Sequence, residues 1–139
     1  MMHRLYRCMD VYNGFIFHVH IYMMSSSSKE DDGKTIEALV KKFNMKAHPE
    51  GGFYVETYRS SSNVKSSYGN RSASTAIYYL ITTGCVSRLH RIKADEVWHF
   101  YLGGPMTVLE LNENDRTVKK TVLGSNVLSS SETVQYTVK

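Results

Sequence analysis

The sequence changes character at Gly51. From there onward it is a succession of short runs rich in Val, Ile, Thr, Tyr and Phe, at 53–59, 75–83, 88–92, 96–102, 106–111, 117–123 and 132–138, divided by clusters of Gly, Asn, Asp and Ser. Parallel strands need crossover segments of a dozen residues or more between them, and these runs leave no room for such segments. The pattern therefore predicts an all-β sandwich or barrel. Residues 60–74 read as a long polar loop and 112–116 as a hairpin turn.

Upstream, residues 33–44 have the other periodicity. Ile36, Leu39, Val40 and Phe43 recur at helical spacing, with Lys34, Glu37, Lys41 and Lys42 on the opposite side. One short helix is expected here. Residues 44–50 end it, and Pro49 biases His48 away from helical geometry. The polar stretch 25–32 (SSSSKEDD) reads as a linker. Residues 1–24 hold Arg4, Arg7 and an apolar stretch interrupted by Asn13, Gly14, His18 and His20. A spanning helix needs about 20 apolar residues, and a secretory signal needs a cleaner apolar run and a small-residue cleavage site. Residues 1–32 are thus expected to be a poorly structured extension and linker, with organelle targeting left open, and 33–139 the folded domain. A chain of 139 residues suits one such domain.

The formal charge is +4, and the Lys and Arg residues are scattered. A nucleic-acid reader concentrates its positive charge on a stripe or face, so neither nucleic acid nor membrane is expected as a partner. Cys8 and Cys85 stand far apart and form no framework, which fits a reducing, cytoplasmic location. Cys85 follows Thr83-Gly84 in an apparent turn, with no base beside it, and reads as an ordinary thiol.

The segment 87–103, SRLHRIKADEVWHFYLG, reads as strand, tight turn, strand and glycine turn. Alternation puts Arg88, His90 and Ile92 on one face of the first strand and Glu96, Trp98, Phe100 and Leu102 on one face of the second. Val97, His99 and Tyr101 take the opposite face. The spacing resembles the first cupin motif, with His90 as its first histidine, Glu96 as its glutamate and Gly103 as its glycine. Ile92 stands where that motif has a second histidine. The stretches HPEGGFY at 48–54, ETYRS at 56–60, STAIY at 74–78, SRLH at 87–90 and DEVWHF at 95–100 extend the resemblance. They are similar to one branch of the cupins, grouped with the sugar-nucleotide epimerase-like jelly rolls, over residues 34–138. The resemblance implies a jelly-roll barrel or sandwich holding a small molecule, without fixing a reaction. Cupins of this branch continue past residue 138 through further strands that carry a second motif. A domain incomplete at its C-terminus is the expectation, and a homodimer is expected by analogy.

A metal-binding cupin supplies three histidines and a glutamate. Here the motif offers His90 and Glu96, Ile92 cannot ligate, and no histidine follows His99. No metal or other cofactor is therefore expected. His18-Val-His20 is an H-x-H with no glutamate at the motif's spacing, and it reads as incidental. Without a metal, His90 could act as a general base oriented by Glu96, with Tyr78 donating a proton from the other side (Tyr54, Tyr58 or Tyr79 being alternatives). Arg88 could hold a phosphate or carboxylate. Trp98 and Phe100 read as core or as stacking surface for a ring. Tyr54 and Glu50, the latter beside His48 at the pocket mouth, complete the candidate ligand contacts. The ligand expected is a sugar, nucleotide or organic acid. The functional readings are a metal-independent isomerase or epimerase, a non-catalytic binding or structural cupin with His90 and Glu96 as a buried pair, and a shortened form without independent activity.

Overall fold

A computed structural model describes residues 17–23, 29–66, 69–92, 94–112, 114–128 and 131–139, with side chains from residue 33 onward. Its elements are β1 (Phe17–Met23), α1 (Lys29–Phe43), β2 (Lys46–Ala47), β3 (Phe53–Arg59), β4 (Asn63–Ser66), β5 (Gly69–Ser72), β6 (Ser74–Leu80), β7 (Glu96–Leu102), β8 (Met106–Leu111), β9 (Val118–Leu123) and β10 (Gln135–Val138). One sheet runs in the order β10-β7-β1-β6-β3-β2, and two hairpins, β4-β5 and β8-β9, stand beside it. The sheets do not close into a barrel, and the architecture is a sandwich with one helix against it.

The helix ends where its chemistry requires. Asn44 takes a left-handed φ of 51°. Its N–H donates to the Lys41 carbonyl at 3.3 Å, and the Met45 N–H reaches the Val40 carbonyl at 2.9 Å. This is the double bond of a Schellman cap, and Lys41 and Lys42 sit favourably in the last turn. The predicted apolar face, Ile36, Leu39, Val40 and Phe43, packs on Met45, Leu80, Phe53, Val55 and Tyr78. The helix thus covers one face of β3 and β6.

The other face of the sheet carries the main core. Tyr79 from β6, Trp98 and Phe100 from β7 and Val138 from β10 meet Met106 and Val108 from β8 and Leu123 from β9. Alternation explains the selection. Along β7 Glu96, Trp98 and Phe100 are buried, while the residues between them are half-buried. Each fully buried side chain of this size stabilises the fold by about 1.5–3 kcal/mol. The β8-β9 turn forms as expected, with Asp115 accepting from both the N–H and the hydroxyl of Thr117.

Several stretches differ from the sequence reading, the helix among them, since it begins at Lys29, inside the stretch read as a linker. Residues 88–92 are not a strand; the Arg88 N–H instead donates to the Glu50 carbonyl at 2.9 Å, tying this segment to a loop. The region 60–74, expected as loop, contains the β4-β5 hairpin. Phe17–Met23, assigned to the unstructured extension, pairs in parallel with β6 and β7. In its register His18 stands level with Thr75 and Glu96, and His20 with Ile77 and Trp98. Residues 1–16 and 24–28 of the proposed extension lie outside the described residues. Among the described residues no helix is long and apolar enough to cross a membrane.

Candidate functional site

The HPEGG segment forms a tight turn before β3. The His48 N–H donates to the Gly52 carbonyl at 2.9 Å, and the Gly51 N–H to the His48 carbonyl at 3.0 Å. Gly51 and Gly52 have φ of 114° and 72°. A Cβ on Gly51 would run into the Val86 carbonyl oxygen, and one on Gly52 into that of Leu80. Only glycine satisfies both the backbone angle and the close approach. The turn is fastened to the segment preceding β7. Tyr79 donates its hydroxyl to the Gly51 carbonyl at 2.7 Å, buried Ser87 donates to the Glu50 carboxylate at 3.1 Å, and the Arg88 guanidinium donates to the Pro49 carbonyl.

This fastening aims His48, Glu50 and His90 into a cavity of about 450 Å³ that Glu96 and Tyr54 also line. Such a volume suits a small molecule. Around Glu50 the distances assign the protons. His90 Nδ1 lies 2.7 Å from the Arg88 carbonyl, which can only accept, so Nδ1 carries hydrogen. The same nitrogen is 3.3 Å from Glu50 Oε2. Neutral His90 is therefore the tautomer whose basic nitrogen is Nε2. His48 has the opposite tautomer, because its Nδ1 accepts from the Glu50 N–H at 3.2 Å. Burial lowers the His48 pKa, with Glu50 working against that and His90 reinforcing it. His48 is thus neutral near pH 7, and its 3.9 Å approach to Glu50 is not an ion pair under those conditions. Its ring stacks edge-on against Tyr54, with centroids 4.7 Å apart.

Glu96 is 7% exposed. Burial, and secondarily the negative charge of Glu50, push its pKa up to about 8, against the opposing hydrogen bond from Trp98. The Trp98 indole N–H donates to Glu96 Oε2 at 3.2 Å. Near neutrality Glu96 is a carboxylic acid able to donate a proton. The site therefore combines a neutral buried acid with an imidazole beside a carboxylate.

The candidates read from sequence are redistributed. His90, Glu96, Tyr54 and Glu50 line the cavity, but His90 contacts the Glu50 carboxylate and Glu96 accepts from the Trp98 indole. Tyr78 does not join them. It points to the helix side, its ring 5.1 Å from that of Phe43. Its neighbour Tyr79 faces the core, and burial raises its hydroxyl pKa to about 12, so it stays a donor to Gly51. Arg88 is spent on Pro49 and lies outside the cavity lining, and Trp98 and Phe100 are core. The sequence reading did not assign Arg59, Arg71 and Arg91 to the cavity they line. A bulge in β3 between Glu56 and Tyr58 re-phases the strand, so that Glu56 and Arg59 both take the cavity side. There Arg59 makes a two-pronged ion pair with Glu56.

Ile92 occupies the cavity wall where a second motif histidine would stand. Among the described residues no group of three or more His, Cys, Asp or Glu is placed to hold an ion.

Comparison with known proteins agrees with this architecture. No curated protein matched the sequence. A crystal structure of a protein from Shewanella oneidensis superposes with a TM-score of 0.64 at 32% identity, over 73% of this chain and 61% of that one. The structure of a hypothetical protein from Leishmania major gives a TM-score of 0.63 at 34% identity, over 73% of this chain and 63% of that one. The chain thus spans less than two thirds of the length of either protein. The family model described as Cupin superfamily (DUF985) matches residues 37–139. By that match, and by the sandwich that carries it, the chain belongs to the DUF985 family of the cupin superfamily.

Proposed function

We propose that this cupin binds a small polar molecule in the 450 Å³ cavity and moves a proton on it, as a metal-independent isomerase or epimerase does. One observation carries the reading. A carboxyl held neutral at pH 7 and an imidazole in contact with a carboxylate line the same cavity. An acid and a base kept in complementary protonation states at one pH are what proton transfer in both directions requires. In the forward half, a C–H bond next to a substrate carbonyl breaks. Its proton passes to His90 Nε2, the electron pair moves to the carbonyl oxygen, and Glu96 supplies the proton that oxygen takes up. The resulting imidazolium is stabilised by Glu50. Return of a proton to carbon completes the exchange.

The test is proton NMR in deuterated water with sugars, sugar phosphates and keto or hydroxy acids. The expected result is deuterium entering at a carbon next to a carbonyl, abolished in His90→Ala and Glu96→Gln. Saturable binding with no exchange at any carbon would contradict catalysis and leave a binding cupin.

A further inference from the structure

Glu50 addresses two histidines with two different groups. Its backbone N–H donates to His48 Nδ1 at 3.2 Å, and its carboxylate oxygen Oε2 lies 3.3 Å from His90 Nδ1. A donor facing one ring and an acceptor facing the other fix opposite tautomers. The hydrogen of neutral His48 is therefore on Nε2. Protonating His48 would put a second hydrogen on Nδ1, against the Glu50 N–H, so the turn itself opposes the charged form. Burial acts in the same direction.

The ring is also held in place. It meets Tyr54 edge-on and Tyr79 at a tilt of 39°, each with centroids 4.7 Å away. Tyr79 in turn is fastened to the Gly51 carbonyl, and the N–H and carbonyl of His48 both take part in the glycine turn. The His48 side chain is 17% exposed and lines the cavity with His90 and Glu96. With Nδ1 taken by the turn, the polar group His48 can offer a ligand is Nε2–H. Its ring position, tautomer and charge are all set before a ligand arrives. Such a donor needs no reorganisation when negative charge forms in front of it, which is where hydrogen bonding contributes most to catalysis.

We propose that His48 is a further catalytic residue of this site, a neutral imidazole whose Nε2–H donates to the ligand's carbonyl oxygen as negative charge develops there. This rests on the proton-transfer reading above. Each group then has one task. His90 takes the carbon-bound proton, and Glu96 supplies the proton that the oxygen takes up. His48 stabilises that oxygen in between, and its own proton stays on Nε2 throughout. A purely structural His48 would need only Nδ1.

The two nitrogens can be tested apart. In His48→Asn the amide oxygen can replace Nδ1 as acceptor for the Glu50 N–H, while nothing replaces Nε2. In His48→Gln the longer amide can replace Nε2–H as donor, while the turn loses its acceptor. Deuterium incorporation into fructose 6-phosphate, ribose 5-phosphate and pyruvate is measured for the full chain and both variants. His48→Asn is expected to keep the fold by circular dichroism and to lose exchange by about a hundredfold or more. His48→Gln is expected to be less stable yet to exchange within about tenfold of the wild type. Nitrogen NMR of the labelled full chain at pH 7 should show His48 with hydrogen on Nε2 and a bare Nδ1. His48→Asn exchanging at the wild-type rate, a folded His48→Gln as inactive as His48→Asn, or hydrogen on Nδ1 of His48 would each overturn the proposal. Wild-type exchange that is lost in His90→Ala but kept in His48→Asn sinks the role of His48 alone. No exchange in the wild type sinks the proton-transfer reading, and this role with it.

Discussion

Nδ1 of His90 lies 3.3 Å from the Glu50 carboxylate, although the two residues come from different loops. Glu50 is placed by the glycine turn, and His90 by a segment that gives up strand geometry to bond with that turn. If this contact stabilises the imidazolium during proton transfer, Glu50→Gln should slow exchange by about a hundredfold, with ligand affinity little changed. Deuterium incorporation and calorimetry on the same variant measure the two quantities separately.

Glu96 ties stability to pH. Its folded pKa, about 8, lies above the ordinary value of 4.5. Between those values the unfolded chain releases a proton that the folded chain keeps, so stability falls as pH rises across that window and levels off above it. Glu96→Gln removes the titration and should flatten this loss. Denaturant midpoints for both proteins at pH 5 and at pH 9 check the sign. The two should converge at low pH, and the variant should be the more stable by a few kcal/mol at high pH.

Two glycines should respond oppositely. Gly52→Ala places a Cβ against the Leu80 carbonyl at a positive φ and should cost about 2 kcal/mol or more. Gly33, in α1, meets no atom within 4 Å of an added Cβ. Gly33→Ala should stabilise by about 0.5–1 kcal/mol through lower unfolded-chain entropy. Urea unfolding of each variant measures both.

Tyr78 and Tyr79 should also separate. Tyr79→Phe strips the Gly51 carbonyl of its hydroxyl partner in a buried setting and should cost about 1–3 kcal/mol. Tyr78→Phe keeps the ring against Phe43 and should stay within about 0.5 kcal/mol of the wild type. Thermal melts of the two variants test which tyrosine faces the interior.

The strands at 53–59, 96–102 and 106–111 were legible to the residue because each is rich in β-branched, aromatic and other apolar residues and is bounded by turn formers, and the second also alternates. The cupin motif likewise located the two cavity groups, His90 and Glu96. Their partners were not legible. Contact between Glu50 and His90 depends on two loops meeting, and nothing local in HPEGG or SRLHR encodes it. Arg88 to Ile92 alternates like a strand, yet its backbone bonds go to a turn. Phase was lost wherever it depended on a partner. In Tyr78-Tyr79 either residue can face inward until the helix is seen to cover one of them, and the β3 bulge inverts the face of Arg59 without a proline or glycine to signal it. The β4-β5 hairpin was hidden because Asn63–Ser66 and Gly69–Ser72 are polar and solvent-facing, with no apolar face to reveal a period. For residues 17–23 the apolar stretch was too short for a spanning helix, and a strand of that length needs only neighbours on each side.

The most direct test is the protonation state of Glu96 itself. Difference infrared spectroscopy between wild type and Glu96→Gln, across a pH titration, reads the carbonyl stretch of a protonated carboxyl. A protonated band at pH 7 that disappears with a midpoint near pH 8 is the predicted result. A carboxylate already ionised at pH 6 would contradict the account, since the cavity would then hold no acid to set against His90.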